Sequence, residues 1–139
     1  MPASPRFALI ALTLAATLAS APVLLAKRAA PAEVAPVRHE GLELRAPLNP
    51  MGYVEAWDLA EKEIIWRRQV YVIRRVPKLE SDVQDVFINA MEIKTLEPKG
   101  LEPRGAALIV RNERGSEYQL NLATLEVKVL KGSLVESFR

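Results

Sequence analysis

Residues 64–76, Ile64-Ile65-Trp66-Arg67-Arg68-Gln69-Val70-Tyr71-Val72-Ile73-Arg74-Arg75-Val76, form the stretch on which the fold turns. β-Branched and aromatic residues dominate it and Pro77 stops it, so it reads as a long β-strand. Side chains alternate between the two faces of a strand. Trp66, Val70, Val72 and Val76 then share one face with Arg68 and Arg74, while Ile65, Tyr71 and Ile73 share the other with Arg67, Gln69 and Arg75. Neither face is cleanly apolar, which predicts a bulge or a strand that bends between two neighbours.

On the N-terminal side, Gly52-Tyr53-Val54-Glu55-Ala56-Trp57 alternates as a strand does, and Asp58 opens a turn. His39 to Pro47 predicts a short strand with Leu42 and Leu44 on one face. On the C-terminal side, Ser81 and Gln84 have capping-box spacing, which predicts one helical turn near residues 82–86. Phe87 to Leu96 is extended again, with Phe87, Met91 and Ile93 aligned. Glu97 to Gly105 (EPKGLEPRG) is punctuated by proline and glycine and predicts a loop. Ala106 to Arg111 and Ser116 to Leu122 flank Asn112-Glu113-Arg114-Gly115 as a hairpin, with Tyr118, Leu120 and Leu122 on one face. A last strand is expected over 126–130, and residues 132–139 are expected to fray. The expected fold is therefore mostly β: a small antiparallel sheet, barrel-like or blade-like, in one domain over 37–131.

Trp57-Asp58-Leu59-Ala60-Glu61-Lys62-Glu63-Ile64-Ile65-Trp66 resembles the repeat of quinoprotein-type (PQQ-like) β-propellers, in which a strand ends in Leu-Asp, a Thr-Gly turn follows, and the next strand opens with an apolar residue before Trp. Leu120-Asn121-Leu122-Ala123-Thr124-Leu125-Glu126-Val127 looks like a weaker second copy. Aligning Gly52 with Gly115 matches Asp58 to Asn121, Leu59 to Leu122, Ala60 to Ala123 and Glu63 to Glu126. The turn glycine of that family is Lys62 in one copy and Leu125 in the other, so each turn is expected to be built differently. Propellers use four to eight four-stranded blades, and the chain beyond its first 26 residues has length for one or two. The resemblance thus implies a blade-like sheet curled on itself or completed by a partner. It carries over no quinone cofactor, because no ligand residues match.

The first 26 residues set the compartment. Arg6 precedes an uncharged run from Phe7, and small residues gather at Ala19-Ser20-Ala21 and at Ala26, the order of a secretory signal. Cleavage after Ala26 is preferred, since cutting after Ala21 would leave Pro22 first. An uncleaved anchor is the alternative, as Phe7 to Ala26 is long enough to span a bilayer. Pro22 and the Lys27-Arg28 pair beyond the run argue against it. Residues 27–36, rich in Ala and Pro, read as a flexible lead-in, and the expected location is periplasmic or secreted.

The chain has no cysteine, which excludes disulfides and thiolate metal sites. Arg6 is one of 19 basic residues set against 17 acidic, so the remainder is nearly neutral and gives no case for nucleic acid. His39 is the single histidine, which leaves no triad base or zinc set. Glu80, Asp82 and Asp85 lie around the predicted helical turn, where acidic residues suit the positive helix end. No catalytic, cofactor or metal residues are assigned.

Trp66, Arg68, Tyr71 and Arg75 remain as a candidate interaction surface, through stacking and bidentate contacts. The competing reading is a solvated strand whose arginines pair with Glu55, Glu92 or Glu117 across the sheet, and it is the preferred one. The functional expectation is a non-enzymatic, exported interaction module whose partner is a protein, either a second copy or a periplasmic one. The alternative is a small-ligand-binding or hydrolytic periplasmic protein with a site between the long strand and the 97–105 loop.

Overall fold

A computed structural model describes residues 29–138, so the expected signal segment over 1–26 lies outside the described residues. Strands run over Val37–His39 (β1), Leu42–Arg45 (β2), Tyr53–Asp58 (β3), Glu63–Gln69 (β4), Val72–Arg74 (β5), Ile88–Thr95 (β6), Ala106–Asn112 (β7), Glu117–Asn121 (β8), Val127–Lys131 (β9) and Val135–Ser137 (β10). Two four-stranded sheets follow chain order, β1-β2-β3-β4 and β6-β7-β8-β9, and every pairing within them is antiparallel. β5 and β10 form a separate parallel pair. The protein is mostly β with small antiparallel sheets, as expected; both sheets are open and the barrel-like form is not taken.

The expected long strand over 64–76 is broken. β4 ends at Gln69, and Val70 and Tyr71, both fully buried, carry the chain across to β5. The mixed faces arise from two departures. Ala56 pairs with Trp66 but Trp57 with Ile64, which leaves Ile65 as a bulge, and the crossing at 70–71 then resets the alternation.

One apolar core joins the two sheets. Leu44 of β2, Val54 and Ala56 of β3, Leu108 and Val110 of β7, and Tyr118 and Leu120 of β8 are buried in one cluster with Val70, Tyr71 and Val86. These are the residues that alternation places on one face of each sheet, so burial of the two inner faces against each other fixes the strand registers. Residues 29–36 hold no regular element, although Val34 packs against the core.

The two halves of the chain repeat. β5 and β10 pair Val72 with Val135, Ile73 with Glu136 and Arg74 with Ser137, partners 63 positions apart, and the same offset relates Gly52 to Gly115. The turns after β3 and β8 match bond for bond. Asp58 Oδ1 accepts from the Ala60 and Glu61 N–H groups at 2.8 and 3.0 Å, and Asn121 Oδ1 from those of Ala123 and Thr124 at 2.9 and 3.0 Å. Lys62 N–H donates to the Asp58 carbonyl and Leu125 N–H to that of Asn121, both at 2.8 Å. Lys62 and Leu125 have φ of 56° and 61°, so the expectation of differently built turns fails: both take the left-handed conformation. The strain of about 1–2 kcal/mol per residue is offset by the three hydrogen bonds that each turn closes.

The helical turn is a single 3-10 turn at Asp82–Gln84, and it is held by other means than a capping box. The Ser81 side chain makes no capping bond. Gln84 turns inward instead, and its Nε2 donates to the carbonyls of Val76, Leu79 and Glu80 at 3.1–3.2 Å. The expectation that residues 132–139 fray is also overturned. Val135–Ser137 docks on β5 as β10, and Glu136 within it is buried.

Candidate functional site

Of the four residues assigned to an interaction surface, two come together and two do not. Trp66 and Arg68 project from the inner face of β4, opposite Ala56 and Val54 respectively. Trp66 is half-buried against the core, and Arg68 Nε donates to the Leu125 carbonyl at 2.9 Å. Tyr71 is fully buried, so its place on the surface is withdrawn. It sits at the crossing where the strand alternation no longer applies. Its ring stacks on Tyr118 with centroids 5.3 Å apart, and its hydroxyl donates to the Val86 carbonyl at 2.6 Å. Burial pushes its ionisation far above the ordinary tyrosine range. Arg75 lies beyond β5, bound to the Ser81 carbonyl at 2.8 Å and to Asp85 at 2.9 Å, and shares no face with Trp66.

The pairing of arginines with cross-strand carboxylates holds for Arg67. Its Nε and Nη2 reach Glu55 Oε1 at 2.8 and 2.6 Å, on the outer face of the first sheet. Glu92 and Glu117 are instead partners of Arg111, each at 3.0 Å. On the same outer face as Glu55, Arg45 lies 4.4 Å from the centroid of the Trp57 ring, a cation–π contact.

Trp66 and Arg68 open onto a cleft of about 1260 Å3. Its apolar floor includes Leu42, Leu44, Leu122 and Val127, and its rim carries the β1–β2 hairpin, the 97–105 loop and the 121–128 segment. The cleft thus lies between the strand at 64–69 and the proline-glycine loop, where the ligand-binding alternative placed it. The lining holds four basic side chains (Arg68, Lys99, Arg104, Lys128) and four carboxylates (Glu40, Glu97, Glu102, Glu126). It has no net charge to select a strongly charged ligand. No group of three or more potential metal ligands occurs among the described residues.

A second polar centre was not legible in the sequence. Glu136 is buried, and its Oε1 accepts from Asn112 Nδ2 at 3.0 Å, from the Ser116 hydroxyl and from the Tyr118 hydroxyl at 3.1 Å. Arg114 Nη1 stands 3.8 Å from the other carboxylate oxygen. Burial opposes ionisation of Glu136, but the donors Ser116, Asn112 and Tyr118 and the Arg114 charge outweigh it and hold its pKa below the usual value. The Tyr118 hydroxyl is pushed up to about 12, chiefly by burial. A carboxylate held ionised in this way is a weak base, so proximity to the Ser116 hydroxyl does not make a nucleophile of it. Its role is to bind β10 to the β7–β8 hairpin. The alignment at 63 residues is the signal that would have exposed it, since it places Glu136 where the first half has Ile73.

Comparison with protein-family models, curated proteins and solved structures finds no match for the chain. Among the described residues no helix is long and apolar enough to cross a membrane.

Proposed function

We propose that this chain is an exported, non-enzymatic interaction module that receives another protein at its free strand edges. The observation that carries the reading is one terminal strand of each four-stranded sheet. β4 closes one sheet and β9 the other, and neither pairs on its far side. Ile64, Ile65, Val129 and Leu130 along them are 37–52% exposed. Unpaired edges with exposed apolar side chains are templates for strand addition. The PQQ-like, blade-like reading belongs to the same proposal: each half is a four-stranded antiparallel meander, the strand number of a propeller blade. A partner that supplies further strands would complete what two such units leave open.

A photo-crosslinking residue placed at Ile65 or at Lys128 in producing cells tests the reading. A covalent adduct with another protein chain from either edge, and none from Tyr53 on the outer face, is the expected result. A strictly monomeric protein that yields no adduct from either edge would overturn it. Export predicts that the purified protein begins at Lys27; an intact mass that retains residues 1–26 would instead mark the segment as an anchor.

The second reading is a small-ligand-binding or hydrolytic periplasmic protein, and the cleft beside Trp66 and Arg68 is the observation in its favour. Its binding half has a concave, mixed apolar and polar site.

A further inference from the structure

We propose that the cleft beside Trp66 and Arg68 binds an uncharged oligosaccharide, one sugar ring of which lies against Trp66. This names the ligand class of the ligand-binding reading and rests on it. The charge of the lining is the first reason. Four cations and four carboxylates line the cleft, and no ion pair among the described residues joins any of those cations to a carboxylate. A charged ligand would meet as many repelling groups as attracting ones. A wholly apolar ligand would strip water from groups of both signs and return no hydrogen bond, which is costly. A hydroxyl group is uncharged, donates once, accepts twice and rotates to suit its neighbour. It can donate to Glu102 or Glu126 and accept from Arg104 or Lys128, all of them exposed on the lining. Hydrogen bonds with a charged partner are roughly twice as strong as neutral ones, so a ligand rich in hydroxyl groups gains from walls of either sign. An uncharged peptide is the poorer fit, because its backbone donors and acceptors come in a fixed alternating order.

The floor is the second reason. A pyranose ring carries C–H groups on its faces and hydroxyl groups around its edge, so it suits an apolar floor inside a polar rim. Leu42, Leu44, Leu122 and Val127 supply that floor together with Trp66. The face of an aromatic ring is its negative side and attracts C–H groups. Trp66 packs against the core, so it gives up little conformational freedom when a ligand arrives. Arg68 stands two residues along β4 on the same face. Its Nε is held by the Leu125 carbonyl, which fixes the guanidinium beside the tryptophan. Size then excludes a single sugar. The cleft of about 1260 Å3 exceeds the roughly 300–1,000 Å3 of pockets that enclose one drug-sized molecule, and so has room for several sugar units.

The test is isothermal titration of the protein with maltohexaose, cellohexaose, laminarihexaose and mannohexaose, at low and at high salt. Saturable binding of at least one is expected, with an affinity that salt changes less than twofold. Trp66→Ala should weaken that binding at least tenfold. Because Trp66 packs on the core, the double variant Glu102→Ala, Arg104→Ala on the exposed loop is measured beside it and should weaken binding at least threefold; circular dichroism establishes which variants are folded. In a Trp57→Phe protein Trp66 is the single tryptophan, and its emission should shift as the sugar binds. Binding of none of the four, undiminished binding by either folded variant, or an affinity that falls steeply with salt would each overturn the proposal. So would binding of acetyl-(Thr-Val)4-amide where no hexasaccharide binds, which would make the cleft a peptide site. If no hexasaccharide binds but the uncharged probe N-phenylnaphthylamine quenches Trp66 in the Trp57→Phe protein, this proposal falls and the ligand-binding reading stands; if neither binds, both fall.

Discussion

Replacing Glu136 with alanine removes the acceptor on which three buried donors converge, and the cost follows from what is left behind. The Tyr118 hydroxyl keeps the Ser133 carbonyl as an alternative acceptor. Asn112 Nδ2 and the Ser116 hydroxyl lose the carboxylate, and both residues are buried. A buried donor left without a partner costs about 1–3 kcal/mol, so two cost about 2–6 kcal/mol. The neighbouring cavity of about 500 Å3, lined by Arg114, Ser116 and Ser133, admits water that can meet the stranded donors. The expected loss is therefore at the lower end, about 2–4 kcal/mol at pH 7. The loss must also depend on pH. The folded-state pKa of Glu136 is depressed, so its carboxylate stabilises the fold above the unfolded value of about 4.3 and ceases to do so as pH falls through the folded value. Urea denaturation of both proteins, followed by tryptophan fluorescence between pH 7 and pH 3, reads both effects. The stability gap should be full at neutral pH and narrow below about pH 4. A gap under about 0.5 kcal/mol at pH 7, or one that does not change with pH, would refute the buried-carboxylate account.

Other substitutions test the repeat and the core. Gly52 and Gly115 share φ of 76°, but a Cβ at Gly52 would stand 2.5 Å from the Tyr71 carbonyl whereas one at Gly115 meets nothing within 4 Å. Gly115→Ala should cost about 1–2 kcal/mol from backbone strain alone, and Gly52→Ala clearly more by the same denaturation assay. Lys62→Gly should stabilise by up to about 1 kcal/mol by relieving left-handed strain. Leu125→Gly relieves the same strain but loses a side chain packed against the core, so it should destabilise; equal effects would refute the difference in packing. Tyr71→Phe leaves the Val86 carbonyl without its buried donor and should cost about 1–3 kcal/mol while the ring stack on Tyr118 remains, a change visible as a lower urea midpoint.

What was legible depended on whether the signal was local. The hairpin over 106–122 announced itself because turn residues and alternation coincide there, and β7 and β8 formed as expected. The bulge in β4 was legible as a conflict between faces, although which residue it ejects was not. Val70 and Tyr71 misled because they continue a β-rich composition through a point where the chain changes sheets. Burial of Tyr71 follows from the second half of the chain, which supplies Tyr118 to stack on it. β5 and β10 are three residues each, too short for periodicity, and they exist because two distant segments meet in parallel. Glu136 was missed for a related reason: only the 63-residue alignment, which sets it at the place of Ile73, singles it out before Asn112, Ser116 and Tyr118 converge on it. For Trp66 and Arg68, strand alternation was enough to place them on one face, whereas the cleft they open onto needed the loop at 97–105.

The most direct test of the free-edge account is amide hydrogen exchange across β4 and β9, measured by mass spectrometry. The account predicts fast exchange at the outward amides of both strands, next to slow exchange in β3 and β8. Protection of β4 and β9 equal to that of β3 and β8 would contradict it.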